Sequence, residues 1–471
     1  MTDNNCSMKR IIIFGTGAIW GKYQDYVFQH SSIVCFIDND SAKWNTPFYG
    51  TKVVKPQDIF KYTFDFVLIM SNAETEMSEQ LLSLGVPLEK IWTWEKYSKE
   101  YLAEKIVCYN FDLSDKVDII LFTQPMGYSG GTITALYAAD ALQMIGKHVV
   151  ICAQRMEKSF LQEFSDDYKL AIVPALPHIG DNLKKIIDQC CAVIVNVFPM
   201  LPVAIQVCRI KPTLWWLHES IPSYGRTMRK YPQYCNGQCM DSLNIKAVSS
   251  IAKKNFNHFF PDTAIDTMTY GIPDETIVSE SEEKKGGKIV FAIIGSVIEI
   301  KAQDIFLQAI RELNDNEKNM MEVYVIGSFD KSEYAKKVQS LANGLNNVFF
   351  TGNLSRHELK KMYSKIDVVV CPSRADCLPI VVTEAMMYRK ACIISDETGT
   401  AEYITHGENG LICKAGDVAD LAEKIRYFLY NQDESIRIGA NGRQVYEQCF
   451  SMNIFAENLQ CAIDETLSQN N

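Results

Sequence analysis

The chain has 471 residues, of which 47% are hydrophobic, and its formal net charge is −10 at pH 7. At roughly 100–200 residues per domain, this length predicts about two to four globular domains. The acidic balance argues against a nucleic-acid partner. The longest apolar stretch, residues 193–208, is short for a membrane span and holds two prolines and an asparagine. We therefore predict that this stretch is buried core.

The fifteen cysteines are spread over the whole chain, and no secretory signal precedes the first glycine turn. This combination predicts reduced thiols in a cytoplasmic protein. Cys190 and Cys191 are adjacent, and Cys235 and Cys239 flank three residues. Neither pair is matched by a second pair or by histidines at zinc-finger spacing, so the sequence predicts no metal site.

The front block, residues 1–107, alternates short apolar runs with helical stretches. KRIIIFGTG, SIVCFIDND and FDFVLIMSN predict buried strands of a parallel α/β sheet. Residues 95–105, EKYSKEYLAEK, predict a solvated helix.

A partial dinucleotide fingerprint lies in this block. Gly15 and Gly17 fit its first two glycines, but Trp20 stands at the last glycine position. Asp38 closes the second strand, where a ribose-binding acid would sit.

The middle block, residues 108–283, repeats the strand-then-loop pattern and predicts a second parallel α/β sheet. Its loop GYSGG contains Gly130 and Gly131, whose lack of side chains lets backbone N–H groups approach a phosphate or sugar. The alternative is a plain strand-to-helix turn. The strand LWWL ends at His218, which is either a ligand or a satisfied core histidine.

The last block, residues 284–471, follows a charged stretch at 279–288 that predicts an exposed boundary. Five short apolar runs predict strands: KIVFAIIGS, MEVYVIGSF, NVFFTGN, DVVVCPS and ACIISDE. Residues 355–358 fit a capping box that opens a helix. Apolar spacing in DVADLAEKIRYFLYN predicts another helix near the end.

The stretch PSRADCLPIVVTEAM, residues 372–386, follows one of these strands. Asp376 lies in the loop, and Glu384 lies about a turn inside the next helix. The N–H groups of Ile380 and Val381 at the helix start suit a diphosphate. The two carboxylates suit hydroxyls of ribose or sugar. Alternatively, Glu384 pairs locally and Asp376 only forms a turn.

With these motifs in order, the last block resembles the C-terminal domain of the family-four retaining glycosyltransferases. The resemblance rests on GSVIEIKAQD, YVIGSF, VFFTGNLSRHEL, the stretch around Asp376, CIISDETGTAEYI and HGENGLICKAGD. It implies an α/β protein of the GT-B fold, in which two Rossmann-like domains face a cleft. The front block is then an extra Rossmann-like domain.

The resemblance also implies roles for single residues. Glu384 would bind the donor ribose, Asp376 the hydroxyls of the donor sugar, and Lys301 the diphosphate, without a metal or other cofactor. The family often has arginine where this chain has Ser296, and Arg374 is the candidate substitute cation. The implied donor-binding residues are Gly130, Gly131, Ser296, Lys301, Arg374, Asp376, Ile380, Val381 and Glu384.

The middle block resembles the partner domain of the same fold more loosely. There His218 would face the donor sugar near the transferred carbon, as a hydrogen-bond partner or a charge stabiliser. Catalysis would rest on His218, Lys301 and Asp376. No serine–histidine–acid triad and no second catalytic acid pair are evident, which fits a mechanism in which the leaving phosphate takes the acceptor proton.

The front block resembles small Rossmann-like domains of polysaccharide-biosynthesis proteins, through FGTGAIWGKY, CFIDNDSAKW, GTKVVKPQDI and LLSLGVPLEKIW. Some such domains bind nucleotide-sugars, and others serve for packing or docking. Both alternatives stay open here, with Gly15, Gly17 and Asp38 as the candidate ligand contacts.

Three functional hypotheses follow. The first is a retaining glycosyltransferase that moves a sugar from a nucleoside diphosphate, with UDP favoured, to a glycan or lipid-linked acceptor of a surface polysaccharide. The second is a non-catalytic nucleotide-sugar or glycan-binding protein. The third is a bifunctional enzyme with an NAD-dependent front domain, against which no Tyr-x-x-x-Lys pair is found nearby. Peripheral contact with the inner face of the membrane stays open.

Overall fold

The structure, a computed structural model, describes residues 8–157, 160, 167–235, 240–276 and 287–469. These residues form three sheets of six, eight and six strands. The predicted boundary at 279–288 falls outside the described residues over 279–286, and Cys239 does so as well.

The front sheet has the strand order β3-β4-β2-β1-β5-β6, and its pairs are parallel except β3 with β4. Its strands are β1 Lys9–Phe14, β2 Ser31–Ile37, β3 Pro47–Phe48, β4 Thr51–Val54, β5 Phe66–Ile69 and β6 Ile91–Trp92. The α-helices of this part are Ala18–His30, Glu74–Ser83 and Trp94–Leu102.

The middle sheet has the order β14-β13-β12-β11-β8-β9-β10-β7. Its strands are β7 Val107–Tyr109, β8 Ile119–Phe122, β9 Val149–Ala153, β10 Lys169–Ile172, β11 Ala192–Asn196, β12 Thr213–Leu217, β13 Leu243–Ala247 and β14 Asp266–Thr267. The accompanying α-helices are Gly130–Met144, Asp181–Gln189, Leu201–Val207, Ile221–Lys230 and Ser250–Phe259.

The third sheet has the order β17-β16-β15-β18-β19-β20 and is parallel throughout. Its strands are β15 Ile289–Ile294, β16 Met321–Ile326, β17 Val348–Gly352, β18 Val368–Cys371, β19 Ala391–Ser395 and β20 Leu411–Cys413. The α-helices are Gln303–Arg311, Asp315–Asn319, Glu333–Leu341, Arg356–Lys365, Ile380–Met387, Val418–Tyr430, Gln432–Val445 and Met452–Ser468.

The strand orders explain where ligands can bind. In the third sheet, chain order reads 3-2-1-4-5-6 across the sheet, the doubly wound arrangement with a switch point between its first and fourth strands. The middle sheet has its corresponding switch point between β8 and β11, and the front sheet between β1 and β5. The predicted α/β class with parallel sheets is confirmed.

The front sheet corrects one expectation. The helix over 95–105 is solvated on one face only, because the helix Trp94–Leu102 exposes its charged residues but buries Trp94, Tyr97 and Leu102. The ring of Trp94 stacks on Tyr23 with centroids 4.1 Å apart. Spaced aromatics within a charged stretch therefore mark a helix that packs one face on the sheet.

The chain divides into two compact units, residues 1–107 with 173–185 and residues 108–172 with 186–471. In the first unit, the Glu104 carboxylate accepts hydrogen bonds from the backbone of Asp181 and Asn182, at 2.9 and 2.8 Å. The second unit contains the middle and third sheets. The sequence-based division at 107/108 and 283/284 stays a prediction.

The last helix, Met452–Ser468, ties the end of the chain to the middle sheet. The Asn244 amide on β13 donates to the Thr466 hydroxyl at 2.9 Å, and the Lys246 ammonium lies 2.6 Å from the Glu465 carboxylate. The chain thus returns from the third sheet to the middle one, and both sheets share a continuous unit.

Candidate functional site

Two loops meet at the switch point of the third sheet. Strands β15 and β18 are hydrogen-bonded neighbours, although β16 and β17 separate them in the sequence. Ligands bind in the crevice at the carboxyl ends of such a pair. Ser296 and Lys301 follow β15, and Asp376 follows β18, so the structure places these three predicted residues at one crevice.

Lys301 and Asp376 form an ion pair there. The ammonium Nζ lies 2.5 Å from the carboxylate Oδ2, and the two side chains are 28% and 17% exposed. Burial lowers the pKa of Lys301, but the Asp376 carboxylate outweighs this effect and the pKa ends above its ordinary value. Lys301 is therefore a fixed cation that remains charged at neutral pH.

Glu384 is buried within the helix Ile380–Met387, with its side chain 4% exposed. One carboxylate oxygen pairs with the guanidinium of Arg356, and the other accepts a 2.9 Å hydrogen bond from the Tyr363 hydroxyl. Both partners belong to the helix Arg356–Lys365, whose predicted capping box of Ser355 and Glu358 is confirmed.

Arg356 also contacts the middle domain and the segment that follows it. Its Nη2 lies 3.0 Å from the Glu275 carboxylate and 3.5 Å from the Tyr137 hydroxyl oxygen. The Tyr388 hydroxyl donates to Glu275 at 3.1 Å. Sequence reasoning missed this network. Its one signal was the position of Arg356 at the first turn of a capped helix, which does not reveal a partner 28 residues away.

The glycine-rich loop lies opposite the helix start. The N–H groups of Ile380 and Val381 lie in the first turn, where no intrahelical acceptor exists, and no side chain caps the helix Ile380–Met387. A Cβ added at Gly130 would lie 3.9 Å from Ile380 Cδ1, whereas one at Gly131 would lie 2.9 Å from Gln124 Nε2. Because Gly131 has no side chain, it can pack closely against Gln124. Gly130 leaves exposed backbone beside the start of the helix Ile380–Met387.

Pro379 stands just before this helix, at the N-cap. The backbone of Pro379 is extended there, so the helix begins at Ile380.

His218 follows β12 directly. Its Nε2 is buried and has no hydrogen-bond partner in the part of the chain that the structure describes. Burial lowers the pKa of His218 to about 3, so the imidazole is neutral. A neutral ring favours the hydrogen-bonding role over the charge-stabilising one. Burial raises the pKa of the adjacent Glu219 to about 7.

The middle domain closes on the Asp376 loop through two side chains. The Ser249 hydroxyl donates to the Cys377 carbonyl at 2.5 Å. The Asn255 amide donates to the Glu219 carbonyl at 3.3 Å and approaches Cys377 Sγ at 3.5 Å. Asn255 therefore links Glu219, the neighbour of His218 in the chain, to Cys377, the neighbour of Asp376.

Ser296, which stands where the family often has arginine, and Arg374, the candidate substitute cation, have different surroundings. Ser296 is exposed, and its hydroxyl oxygen lies 3.2 Å from that of Ser328. Arg374 pairs with the buried Asp304 carboxylate at 2.9 Å and donates to the Glu299 carbonyl. The Arg374 guanidinium is therefore held at Asp304, which Lys337 also contacts at 2.8 Å, and this weakens its case as the substitute phosphate cation.

In the front unit, Asp38 is surrounded by donors of its own chain. Its carboxylate accepts from the Thr16 backbone at 3.0 Å, from the Thr16 hydroxyl at 2.5 Å and from Lys43 at 3.1 Å. Gly15 has a φ of +106°, and an added Cβ would lie 2.9 Å from the Met70 carbonyl oxygen. Gly17 starts the helix Ala18–His30. The three candidate residues are thus near one another, with Asp38 bound internally.

Trp20 explains why the fingerprint is incomplete. Its side chain is 1% exposed and packs edge-on against Phe36, with ring centroids 5.0 Å apart. At the last glycine position of the fingerprint, the Trp20 side chain therefore fills the core.

Two other features are absent from the described part of the molecule. Among the described residues, no cluster of three or more His, Cys, Asp or Glu is arranged to hold a metal ion. Within the same ranges, no helix has the length and apolarity that crossing a membrane requires.

Two families match the chain. Residues 274–445 match the family described as Glycosyl transferases group 1, and residues 7–92 match the family described as C2185-like, N-terminal. The capsular polysaccharide biosynthesis glycosyltransferase CapM of Staphylococcus aureus is 25% identical over 257 residues, 51% of this chain and 65% of CapM. The uncharacterized glycosyltransferase MJ1178 of Methanocaldococcus jannaschii is 26% identical over 206 residues, 43% of this chain and 54% of that protein. The chain thus spans less than two thirds of either relative.

Solved structures share the fold. Anabaena HepE in complex with UDP and glucose superposes with a TM-score of 0.61 at 16% identity, covering 75% of this chain and 99% of HepE. The lipopolysaccharide-biosynthesis glycosyltransferase WaaG gives a TM-score of 0.53 at 15% identity, covering 73% and 98%. The predicted GT-B fold is confirmed, and the chain carries a glycosyl transferases group 1 domain.

Proposed function

We propose that the protein is a metal-independent retaining glycosyltransferase. It moves a sugar from a nucleoside diphosphate, with UDP favoured, to a glycan or lipid-linked acceptor of a surface polysaccharide. In this proposal residues 1–107 form an accessory domain, 108–283 the acceptor side and 284–471 the donor side, and the protein acts in the cytoplasm.

The observation that carries the proposal is the set of groups at the crevice of the third sheet. A fixed cation at Lys301, an uncapped helix start at Ile380 and a carboxylate at Asp376 lie at the carboxyl ends of β15 and β18. Glu384 lies one turn farther along the same helix. This order of groups fits sugar hydroxyls, diphosphate and ribose in turn.

The proposed mechanism depends on stabilising the negative charge that develops on the leaving group. As the bond between the sugar and the diphosphate breaks, negative charge develops on the leaving phosphate oxygens. Lys301 and the N–H groups of Ile380 and Val381 stabilise that charge without reorganisation. Asp376 holds sugar hydroxyls, and the neutral His218 offers an unfilled hydrogen-bonding nitrogen to the sugar. The leaving phosphate takes the acceptor proton on the same face, which gives retention.

Two similar proteins support the proposed donor and the proposed product. HepE was solved with UDP and glucose, which favours a UDP-sugar donor. CapM is named for capsular polysaccharide biosynthesis, which favours a surface glycan as the product.

A non-catalytic sugar-nucleotide binder is the second candidate. The observation in its favour is the low cation count at the diphosphate site, where Ser296 is neutral and Arg374 is paired with Asp304. Donor turnover separates the two candidates.

The first test is a thermal-shift titration of the full chain with UDP, GDP, ADP and NAD. A ligand that binds only the folded state raises its melting temperature, by an increment that grows with concentration over Kd. We expect UDP to give the largest shift. Hydrolysis or transfer from a UDP-sugar is then measured with the same protein.

A matched pair of variants makes the titration specific. Glu384→Gln should abolish the UDP shift, whereas Glu317→Gln should keep it, because Glu317 is an equally buried, arginine-bound glutamate away from the crevice. If no nucleoside diphosphate shifts the wild type, the donor site is wrong. If UDP binds without any turnover of UDP-sugars, the binding-protein alternative replaces the enzyme.

A further inference from the structure

Strand β11 lies between the two elements that the middle domain contributes to the proposed site. It is hydrogen-bonded to β8 on one side and to β12 on the other. The glycine-rich loop follows β8, and His218 follows β12. Asn196 ends β11 and Val197 comes directly after it, so both residues stand between the loop and His218. Neither residue has a part in the proposed mechanism.

Asn196 holds the glycine-rich loop from inside the protein. The residue is 0% exposed, and its Nδ2 donates to the Gly131 carbonyl at 2.7 Å and to the Thr123 hydroxyl at 3.1 Å. Its Oδ1 is buried and has no hydrogen-bond partner within the described ranges. An unpaired buried acceptor destabilises a fold, so stability alone does not account for an asparagine at this position. The donor group that reaches Gly131 does account for it.

Val197 is strained at the same place. Its φ of +75° and ψ of 149° lie in a backbone region that is essentially restricted to glycine. Two contacts to β12 fix this conformation: the Val197 N–H donates to the Trp216 carbonyl at 2.8 Å, and the Trp215 Nε1 donates to the Val197 carbonyl at 3.1 Å. A Cβ added at Gly131 would lie 3.0 Å from Val197 Cγ1. Strain of this kind clusters at functional sites, and here it presses against the glycine-rich loop.

The glycine-rich loop leads into the helix Gly130–Met144, and the start of that helix borders the crevice. The N–H groups of its first turn have no intrahelical acceptors. A Cβ added at Gly130 would lie 3.9 Å from Ile380 Cδ1, so the starts of two helices meet there. Each helix start adds positive potential where negative charge develops on a leaving phosphate. A loop displaced by about 1 Å would lose this alignment.

We propose that Asn196 is a positioning residue for sugar transfer. By donating to the Gly131 carbonyl, it fixes the start of the helix Gly130–Met144 in the place where that helix start faces the transferred sugar and its phosphate. Asn196 is fully buried, so it acts through the loop and does not touch the substrate. This inference rests on the proposed transferase function. The competing explanation is that Asn196 only stabilises the middle sheet.

Asn244 provides a matched control for that explanation. It lies on β13 of the same sheet, is 6% exposed, and donates to the Ala462 carbonyl at 3.1 Å and to the Thr466 hydroxyl at 2.9 Å. Both asparagines thus bind one backbone carbonyl and one threonine hydroxyl. Those of Asn244 belong to the last helix, and those of Asn196 belong to β8 and its loop. Asn196→Ala and Asn244→Ala therefore remove the same groups from two different places.

The test compares the turnover of UDP-glucose, UDP-galactose and UDP-N-acetylglucosamine by the full chain, well below the melting temperature of each variant. For the donor that the wild type turns over, Asn196→Ala should lower kcat by about 10²-fold, because the loop is no longer fixed. UDP affinity should stay within about threefold, since the proposed ribose and diphosphate contacts lie on the third domain. Asn244→Ala should keep kcat within about threefold of the wild type. An equal loss of kcat in both variants overturns the inference.

A second substitution at the same position isolates the donor group. Asn196→Asp keeps the shape of the side chain, but an ionised carboxylate only accepts hydrogen bonds and cannot donate to Gly131. It should be as slow as Asn196→Ala, and a wild-type kcat in Asn196→Asp overturns the inference. Asn196→Ala removes the unpaired Oδ1 together with the donor, which limits its loss of stability and keeps a folded variant for the comparison.

Hydrogen exchange of the backbone over residues 127–137 gives a readout that does not depend on turnover. In Asn196→Ala this segment should exchange about tenfold faster than in the wild type, whereas in Asn244→Ala its rate should be unchanged. If the wild type turns over no UDP-sugar, the transferase function fails, and hydrogen exchange still decides whether Asn196 fixes the loop. Equal exchange rates in the wild type and Asn196→Ala overturn that part as well.

Discussion

Two glutamates on helices that accompany the third sheet have almost the same surroundings. Glu384 is bound by Arg356 and the Tyr363 hydroxyl, and Glu317 is bound by Arg426 at 3.1 Å and the Tyr430 hydroxyl at 2.9 Å. The side chains of the two glutamates are 4% and 5% exposed.

The two clusters differ in what else their arginines contact. Arg426 donates to the Glu312 carbonyl within the same domain. Arg356 contacts Glu275 and Tyr137, which lie before the third sheet in the chain. Only Glu384 lies on the helix that opens at the crevice. Local chemistry alone thus does not distinguish the two glutamates, whereas their place relative to the switch point does.

The largest effect on activity should come from removing the positive charge of Lys301 at the crevice. Lys301→Met removes the cation that we propose faces the leaving diphosphate, so turnover of a UDP-sugar should fall by about 10²–10³-fold. Steady-state rates with purified full-length protein measure this. The matched control is Lys337→Met, which removes a lysine 2.8 Å from Asp304 and should leave turnover within about twofold. Equal losses in both variants would show that Lys301 acts through stability alone.

The arginines offer a direct comparison of the two clusters. Arg356→Gln and Arg426→Gln should each lower the free energy of unfolding by about 1–3 kcal/mol, because each leaves a buried carboxylate short of a charged donor. Only Arg356→Gln should also weaken UDP binding, by roughly tenfold, since it disturbs Glu384, the carboxylate that we propose binds the ribose. Chemical denaturation and UDP titration measure the two effects. A similar UDP defect in Arg426→Gln would remove the functional distinction between the clusters.

The sequence predicts the sheets and the crevice because both depend on local patterns. In the run KRIIIF, the apolar residues Ile11 to Phe14 are fully buried, on both faces of the strand. Asp376 and Lys301 follow strands directly, so strand order suffices to bring them together. Arg356, Tyr363 and Glu275 were missed because their partners depend on how helices pack, which no single-chain spacing encodes.

A third carboxylate with an arginine and a tyrosine allows a test of pH dependence. Asp304 is buried and bound by Arg374, Lys337 and Tyr334. Desolvation opposes its ionisation, but these donors together hold its pKa at about 2, below the ordinary 3.8. A depressed pKa contributes stability at neutral pH that is lost as the pH falls from about 5 towards 2.

Asp304→Asn should therefore destabilise the protein by about 2 kcal/mol at pH 7 and by about 1 kcal/mol less near pH 3. Denaturation curves of the wild type and the variant at both pH values provide the measurement. A difference that stays constant across this range would mean that packing, and not the charge of Asp304, determines the loss.

The smallest effect should be a gain in UDP affinity. Ser296 stands where the family often has arginine, it is exposed, and its hydroxyl oxygen lies beside that of Ser328. Ser296→Arg adds a mobile cation beside the diphosphate site, and a partly solvated contact of this kind is worth about 0.5–1 kcal/mol. UDP affinity should rise about two- to fivefold. Ser296→Gln adds similar length without charge and should not raise affinity. If Arg and Gln behave alike, the diphosphate does not lie beside residue 296, and the crevice that distinguishes Glu384 from Glu317 must bind its ligand in another orientation.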